Sequence, residues 1–205
     1  MRVVIAGGHG QIALLLSRML AERGDNPVGI VRNPDHVGDL EAIGAGAVVL
    51  DLERATLEDV VEVLDGADAV VFAAGAGPGS GAARKDTVDY AAAVLTARAA
   101  EFAGVRRYVQ ISAMGLDRAD DPGMDEVFAA YLRAKDAAER DLRARELDWT
   151  ILRPGRLTDG PGAAMVTVTE SRPRGSVSRV DVAAVVLSLL DDPDSAGRTL
   201  EVTAD

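Results

Sequence analysis

The chain has 205 residues, and 48% of them are hydrophobic, so it is long and apolar enough to fold as one domain around a single core. Its formal net charge of −11 disfavours nucleic acid as a partner, because phosphate binding needs clustered basic residues. The sequence contains no cysteine, which excludes disulfides, thiol catalysis and zinc–thiolate sites. It shows neither a signal-like segment nor an apolar run of membrane-spanning length, so we expect a cytoplasmic protein that binds neither nucleic acid nor membrane.

Apolar runs with strand character alternate with helical patterns along the chain. Strands are predicted at 2–6, 27–31, 46–50, 68–73, 106–112 and 148–153, and helices at 10–23, 35–43, 56–65, 85–104 and 124–146. The pairs Thr56 with Asp59 and Ser178 with Asp181 have the spacing of helix N-caps. Continuous apolar strands separated by helices predict a parallel sheet covered on both faces. The expected fold class is therefore α/β, a Rossmann-type doubly wound parallel sheet forming one domain over 1–205, completed by a small C-terminal part.

The first strand breaks into a glycine turn with the spacing Gly7-x-x-Gly10-x-x-Ala13, and an apolar helical pattern follows at once. Glycines allow close approach of the backbone to a diphosphate, and the helix start presents free N–H groups to it. A dinucleotide is therefore predicted here, the alternative being a glycine-rich turn without a nucleotide. The predicted contacts are Gly7, His9, Gly10, Gln11 and Ile12.

The end of the second strand carries Arg32 where a cofactor with a free ribose 2′-hydroxyl usually meets an acidic residue. A planar guanidinium suits a 2′-phosphate, so NADP(H) is the preferred cofactor. Asp35 lies close by, so NAD(H) remains an alternative, as does an exposed arginine paired with Asp35. Asp51 and Leu52 follow the third strand and are predicted to border the adenine, although Asp51 has an alternative role as a turn cap.

Three long loops, at 74–84, 113–124 and 155–163, follow the fourth, fifth and sixth strands. They therefore lie at the carboxyl edge of the sheet, where open α/β sheets bind ligands. Small residues open the first of these loops and are predicted to admit the nicotinamide-side ribose and phosphates: Ala73, Ala74 and Gly75.

Tyr131 and Lys135 lie four residues apart in the helical pattern at 124–146, so both side chains belong to one helix face. A nearby ammonium is expected to lower the pKa of a phenol and make it a better partner for proton exchange. The alternative is a surface helix in which Tyr131 packs and Lys135 is solvated. The two histidines are distant from each other in sequence and no set of carboxylates has ligand spacing, so no metal site is expected.

These features resemble the short-chain dehydrogenase/reductase superfamily, and more closely its atypical branch of small NAD(P)-binding proteins with NmrA-like and flavin-reductase-like members. The resemblance is carried by segments 6–13, 75–81, 88–90, 104–112, 149–157 and 178–183, and by Tyr131 with Lys135. It implies that Lys135 binds the nicotinamide ribose, that backbone at Pro154 and Gly155 meets the carboxamide, and that Tyr131 is the general acid/base. Ser112 is the nearest candidate for the hydroxyl that holds a substrate carbonyl, although it lies a residue early.

The expected function is hydride transfer between NADP(H) and a small carbonyl or related acceptor whose identity the sequence does not reveal. The short substrate lobe argues against a large nucleotide-sugar. An NADP(H)-sensing regulatory protein of NmrA-like type is the alternative, and a flavin-type reductase that needs no tyrosine acid is a third. The helices at 85–104 and 124–146 are candidates for pairing in a homo-oligomer.

Overall fold

The computed structural model describes residues 1–77, 79–163, 165–171 and 174–204. This part of the chain contains ten strands: β1 (Arg2–Ala6), β2 (Asn26–Val31), β3 (Gly46–Val49), β4 (Ala69–Phe72), β5 (Arg107–Ile111), β6 (Asp148–Pro154), β7 (Arg156–Thr158), β8 (Val166–Thr169), β9 (Ser176–Ser178) and β10 (Arg198–Ala204). It also contains seven α-helices: α1 (Gln11–Arg23), α2 (Val37–Glu41), α3 (Leu57–Leu64), α4 (Ala82–Arg84), α5 (Ala93–Phe102), α6 (Glu126–Arg143) and α7 (Arg179–Leu190). A π-helix, Lys85–Ala92, joins α4 to α5.

Eight of the strands form one sheet in the order β3-β2-β1-β4-β5-β6-β10-β8. Every neighbouring pair from β3 through to β10 is parallel, and only β8 runs antiparallel to its neighbour β10. The order 3-2-1-4-5-6 is that of a doubly wound dinucleotide-binding sheet, so the predicted Rossmann-type fold class is confirmed. The six predicted strands are all present. The C-terminal completion consists of β10 and β8 on the sheet edge, with β7 and β9 paired beside it.

Both faces of the sheet are covered because neighbouring strand residues point in opposite directions. In β1, Val3 and Ile5 are fully buried with apolar residues of α1 and α7. The intervening Val4 and Ala6 are equally buried, but against residues of α3 and α5 on the other face. A strand buried on both sides has no polar position, which explains the unbroken apolar runs of the sequence.

The starts of α3, α6 and α7 are fixed by side-chain caps. The Thr56 hydroxyl accepts the Asp59 N–H and the Asp59 carboxylate accepts the Thr56 N–H, which confirms the predicted capping box. The predicted cap at Ser178 is also confirmed, since its hydroxyl accepts the Asp181 N–H at 3.0 Å. Asp125 caps α6 in the same way.

Two predicted helices differ from the structure in detail. The pattern at 35–43 folds as a 3₁₀ turn at Pro34–His36 followed by the short α2. The pattern at 85–104 begins earlier, at Ala82, and its central part is π-helical. Within the described ranges, no helix combines the length and apolarity needed to cross a bilayer.

Candidate active site and nucleotide-binding groove

Three adjoining cavities lie along the carboxyl edge of the sheet, where the loops after β1, β2, β3, β4, β5 and β6 meet. The first has a volume of about 310 Å³, the second about 530 Å³ and the third about 440 Å³. The first and second share the walls Gly10, Ala73, Ala74 and Gly75. The second and third share the walls Phe128, Tyr131 and Leu157. Together they form one groove across the point where the strand order reverses, between β1 and β4.

The glycines of the β1–α1 turn are required by close packing. Gly7 has φ +80°, and a Cβ on it would lie 2.6 Å from the Ala74 Cα. A Cβ on Gly8 would lie 2.5 Å from the Gly29 Cα in β2. The Gly8 N–H also donates to the Ile30 carbonyl at 2.9 Å. The turn is therefore held directly on the ends of β2 and β4.

The start of α1 presents free donors to the groove. Gly10 is the N-cap and brings no capping side chain, and α1 has no acidic residue in its first turn. The Leu14 N–H donates to the Gly10 carbonyl, so the amides of Gln11 and Ile12 precede the first intrahelical bond. Gln11 and Ile12 line the second cavity, while Gly7 and His9 line the first. This arrangement of uncapped amides and positive helix dipole fits a diphosphate.

Arg32, Glu53 and Arg84 line the first cavity and form a polar cluster with Thr87. Arg84 Nη2 lies 2.6 Å and Arg32 Nη1 3.1 Å from the Glu53 carboxylate, and the Thr87 hydroxyl donates to it at 2.6 Å. The Arg84 and Thr87 hydrogen bonds lower the pKa of Glu53. The sequence alternative that paired Arg32 with Asp35 is wrong, because the β3–α3 loop brings Glu53 to the exposed guanidinium instead.

Asp51 and Leu52, which are predicted to border the adenine, line the first cavity together with Arg32. The Asp51 carboxylate also accepts the Glu53 N–H at 3.2 Å, so it caps its own turn as well. His36 lines the same cavity, and its ring stacks on that of His9 with centroids 3.5 Å apart.

The small residues after β4 lie where the first and second cavities meet. Ala73, Ala74 and Gly75 contribute to the walls of both. The Cβ position of Gly75 would be 3.2 Å from an oxygen of Asp89, so a larger residue here would push on that carboxylate. Pro78, in the loop at 74–84, lies outside the described residues, as do 164, 172 and 173 in the later loops.

Tyr131 and Lys135 occupy one face of α6, and both line the second cavity. The Lys135 ammonium is almost completely buried, 5.9 Å from the centroid of the Tyr131 ring and 3.3 Å from the Asp89 carboxylate. It also donates to the carbonyls of Ala74 and Ile111 at 3.4 and 3.3 Å. The Tyr131 hydroxyl makes no hydrogen bond to the described residues, so it is available to a ligand.

The expected direction of the Tyr131 pKa is wrong. Burial raises the pKa of this phenol above its ordinary value, and the Asp89 carboxylate adds to the increase. The lysine does not reverse the shift, because Asp89 lies beside it and burial lowers the pKa of Lys135 itself. The structure thus presents a protonated phenol at neutral pH.

Sequence reasoning missed Lys85 and Asp89, which the π-helix brings to the second cavity. Lys85 is buried, donates to the Gly77 carbonyl at 2.8 Å and lies 5.5 Å from the Tyr131 ring centroid. Both lysines of the chain therefore flank the same tyrosine. The chain contains no other lysine, and this is the one sequence signal that singles out Lys85.

Ser112 lines the second cavity, but its hydroxyl donates to the buried Glu139 carboxylate at 2.6 Å. Glu139 is completely buried on α6 and also accepts from Arg153 and Arg143, each at 2.6 Å. The single hydroxyl hydrogen of Ser112 is thus committed to a carboxylate. The structure does not offer it as a donor to a substrate carbonyl.

Pro154 and Gly155 line the third cavity rather than the second, so the structure does not bring them together with Lys135. The Gly155 N–H is used in the sheet, where it donates to the Val202 carbonyl at 3.0 Å. The Pro154 carbonyl accepts the Met114 N–H at 3.1 Å. Among the described residues, no group of three or more potential metal ligands is found.

Comparisons with known proteins identify the family of this chain. Residues 7–193 match the model of the NAD(P)H-binding family. The chain is 33% identical to the uncharacterized sugar epimerase YhfK of Bacillus subtilis strain 168, over 99% of this chain and 94% of that protein. A solved structure from Bacillus halodurans, provisionally named an NAD-dependent epimerase/dehydratase, is 35% identical with a TM-score of 0.91, covering 100% of this chain and 94% of that one. The oxidoreductase ylbE from Lactococcus lactis is 25% identical with a TM-score of 0.85, covering 100% and 91%.

The family match covers most of the chain, and the glycine turn from Gly7 and the Tyr131–Lys135 pair lie within it. The chain belongs to the NAD(P)H-binding family, which is consistent with its resemblance to the atypical branch of the short-chain dehydrogenase/reductase superfamily.

Proposed function

We propose that this protein is an NADP(H)-dependent oxidoreductase that acts on a small carbonyl acceptor. One observation carries the proposal: the amides that open α1, the Lys135 ammonium and the free Tyr131 hydroxyl all border the second cavity. A dinucleotide whose diphosphate lies on α1 would extend along the groove in both directions. Its adenosine half would then occupy the first cavity and its nicotinamide half the second.

The preference for NADP(H) over NAD(H) rests on the arginines of the first cavity. A ribose 2′-hydroxyl usually meets an acidic acceptor, and the Glu53 carboxylate of this cavity is already engaged by Arg84, Thr87 and Arg32. The Arg32 guanidinium is more than half exposed and retains donors for a 2′-phosphate.

Two side chains would carry the reaction. When bound, the reduced cofactor supplies a hydride equivalent to the carbonyl carbon. The Tyr131 hydroxyl then donates its proton to the carbonyl oxygen, which completes reduction to an alcohol. Its raised pKa keeps the phenol protonated at neutral pH, which is the form that a reduction requires. Lys135 would bind the nicotinamide ribose hydroxyls through ammonium hydrogens that its long contacts to protein acceptors leave available.

A titration tests the binding step before any acceptor is known. NADPH and NADH are added in parallel while Trp149 fluorescence and the thermal unfolding midpoint are followed. We expect both coenzymes to stabilise the protein against unfolding. NADPH should bind at least about 10-fold more tightly than NADH, because one charge-assisted hydrogen bond to the 2′-phosphate supplies a gain in affinity of that size. Failure of both coenzymes to bind would remove the proposal, whereas equal affinities would remove only the NADP(H) preference.

Epimerisation is a second candidate, favoured by the names of two similar proteins. In that reaction the hydride taken from the substrate is returned to it, so no coenzyme is consumed. Stoichiometric loss of NADPH absorbance at 340 nm with a carbonyl panel would favour the reductase. Substrate isomerisation without net absorbance change would favour the epimerase.

A non-catalytic NADP(H) sensor is favoured by one feature, the commitment of the Ser112 hydroxyl to Glu139. Without that donor, polarisation of a carbonyl depends on Tyr131 alone. Tight NADPH binding combined with no turnover of any carbonyl would support the sensor.

A further inference from the structure

The third cavity adjoins the proposed reaction site. Its described lining residues include basic but no acidic side chains, whereas the chain as a whole is acidic. It is bordered by Tyr131, Phe128 and Leu157, which it shares with the second cavity. A ligand whose reactive group reaches Tyr131 therefore has room for its remaining part in about 440 Å³. Apolar walls from Met114 and Leu132 suit a hydrophobic body.

Three arginines line this cavity: Arg118, Arg156 and Arg174. Among its described lining residues there is no aspartate or glutamate, although the whole chain has 33 acidic against 22 basic residues. An acidic protein that keeps one cleft lined only by cationic charges concentrates positive potential there.

Two of these guanidinium groups are not neutralised within the described part of the chain. Arg118 forms an ion pair with Asp121 at 2.7 Å, but Arg156 and Arg174 have no hydrogen-bonded or ion-paired partner. Both are exposed, at the cavity wall. Unpaired arginine forks are suited to bidentate binding of a carboxylate or phosphate.

Two of the three arginines, Arg118 and Arg174, lie next to the backbone of Gly115. Its φ is +79°, and the position of a Cβ there would be 3.7 Å from Arg118 Cδ and 3.9 Å from Arg174 Nε. A side chain at this position would occupy the space that both arginines border. Arg118 and Arg174 therefore lie beside each other at Gly115, on one side of the cavity.

We infer that the third cavity is a subsite for an oxyanion, so that the acceptor has an apolar body and a carboxylate or phosphate group. The inference rests on the proposed function for the identity of the reactive group. The anion subsite itself depends only on the three arginines and the cavity. Binding of the anionic group can therefore be measured independently of reduction of the carbonyl.

The test uses three aromatic aldehydes that differ only in the group opposite the aldehyde: 4-carboxybenzaldehyde, 4-formylphenyl phosphate and methyl 4-formylbenzoate. Their dissociation constants are measured by calorimetry on the protein alone and with NADP⁺, which cannot reduce them. We expect at least one charged aldehyde to bind about 10- to 100-fold more tightly than the neutral ester, as charge-assisted hydrogen bonds allow. The carboxylate and phosphate arms decide which anion the subsite prefers.

The double variant Arg156→Gln/Arg174→Gln should abolish the preference for charge and leave the affinity for the ester unchanged. Arg54→Gln is the matched control, because that arginine is exposed and lines none of the three cavities. Equal affinities for the charged and neutral aldehydes, no detectable binding of either charged one, or an equal loss in the control would overturn the subsite.

NADPH oxidation with the same aldehydes separates the two ideas. If binding follows charge but no aldehyde is reduced, the anion subsite stands and the proposed reduction fails. If the ester is reduced as fast as the charged aldehydes at limiting concentration, the reduction stands and the subsite is refuted.

Discussion

The Lys135 ammonium lies 3.3 Å from the Asp89 carboxylate, and both side chains are almost completely buried beneath the groove. The remaining acceptors of the ammonium, the carbonyls of Ala74 and Ile111, are 3.4 and 3.3 Å away. These distances lie at or beyond the long end of normal hydrogen bonds. The Asp89 carboxylate thus opposes the lowering of the Lys135 pKa by burial, and the long contacts leave the ammonium able to turn toward a ligand hydroxyl.

Replacement of Asp89 by Asn should destabilise the protein by about 3 kcal/mol, because a buried ammonium would lose its counter-charge. The free energy of unfolding is measured by urea titration. Asp86→Asn, an exposed position on the same π-helix, is the control and should change little. Adding Lys135→Met to Asp89→Asn should recover part of the loss. An unchanged stability of the single variant would show that the pair does not interact appreciably.

Tyr131→Phe should lower the rate of carbonyl reduction by roughly 10²-fold or more while NADPH affinity stays nearly unchanged. The phenyl ring keeps its packing against Phe128 and loses only the proton-donating hydroxyl. The rate is followed by NADPH absorbance and the affinity by fluorescence titration. Tyr90→Phe, a half-buried tyrosine that lines none of the three cavities, serves as control. Equal turnover by both variants and the wild type would reject the proton-transfer role.

A spectrophotometric titration decides the direction of the Tyr131 pKa. Since burial raises it, this phenol should stay protonated as the pH rises past its ordinary value near 10. The tyrosinate absorbance of wild type and Tyr131→Phe should therefore coincide from pH 6 to about 9.5. A component titrating between pH 7 and 9 in the wild type alone would mean that the phenol pKa is lowered.

Arg32→Ala should weaken NADPH binding by about 10- to 100-fold and leave NADH binding nearly unchanged. The reason is that only NADPH carries the phosphate that the exposed guanidinium would bind. Dissociation constants for both coenzymes are compared with those of Arg54→Ala, whose side chain lies outside the groove. Parallel losses for the two coenzymes would argue against the 2′-phosphate contact.

Ser112→Ala should clearly lower the stability of the fold but change the rate of turnover only slightly. Loss of its hydroxyl removes one donor from the buried Glu139 carboxylate, at a cost of about 1–3 kcal/mol, while Arg153 and Arg143 remain. The thermal midpoint should fall, and turnover should change less than 10-fold. A drop in turnover as large as that of Tyr131→Phe would instead assign Ser112 to the reaction.

The central fold was predictable because its strands are buried on both faces and therefore read as continuous apolar runs. The C-terminal strands were not placed individually. β7 and β9 have only three residues each, and β8 is a four-residue strand at the sheet edge with no fully buried position. Such short segments carry too few residues to establish a period.

The site was predictable where its residues are neighbours in sequence, as on one face of α6 or in the glycine turn. Lys85 and Asp89 were not assigned to the site, because their spacing in the predicted helix at 85–104 does not reveal which neighbouring element they face. Their meeting with Lys135 depends on how that helix packs against α6. The partners of Arg32 and Ser112 come from distant elements in the same way, and only the folded chain identifies them as Glu53 and Glu139.

The contact between Gly8 and Gly29 limits the ways in which the coenzyme preference of this protein can be altered by substitution. With backbone against backbone, and the Gly8 N–H bonded to Ile30, the β1–α1 turn has no freedom to slide along β2. Arg32 follows three residues after Gly29, so its Cα stays at a fixed separation from the helix start. The main-chain distance between the β1–α1 turn and Arg32 is therefore fixed. A change of nucleotide preference must then come from substituting side chains at the carboxyl end of β2 and on the loops that face it.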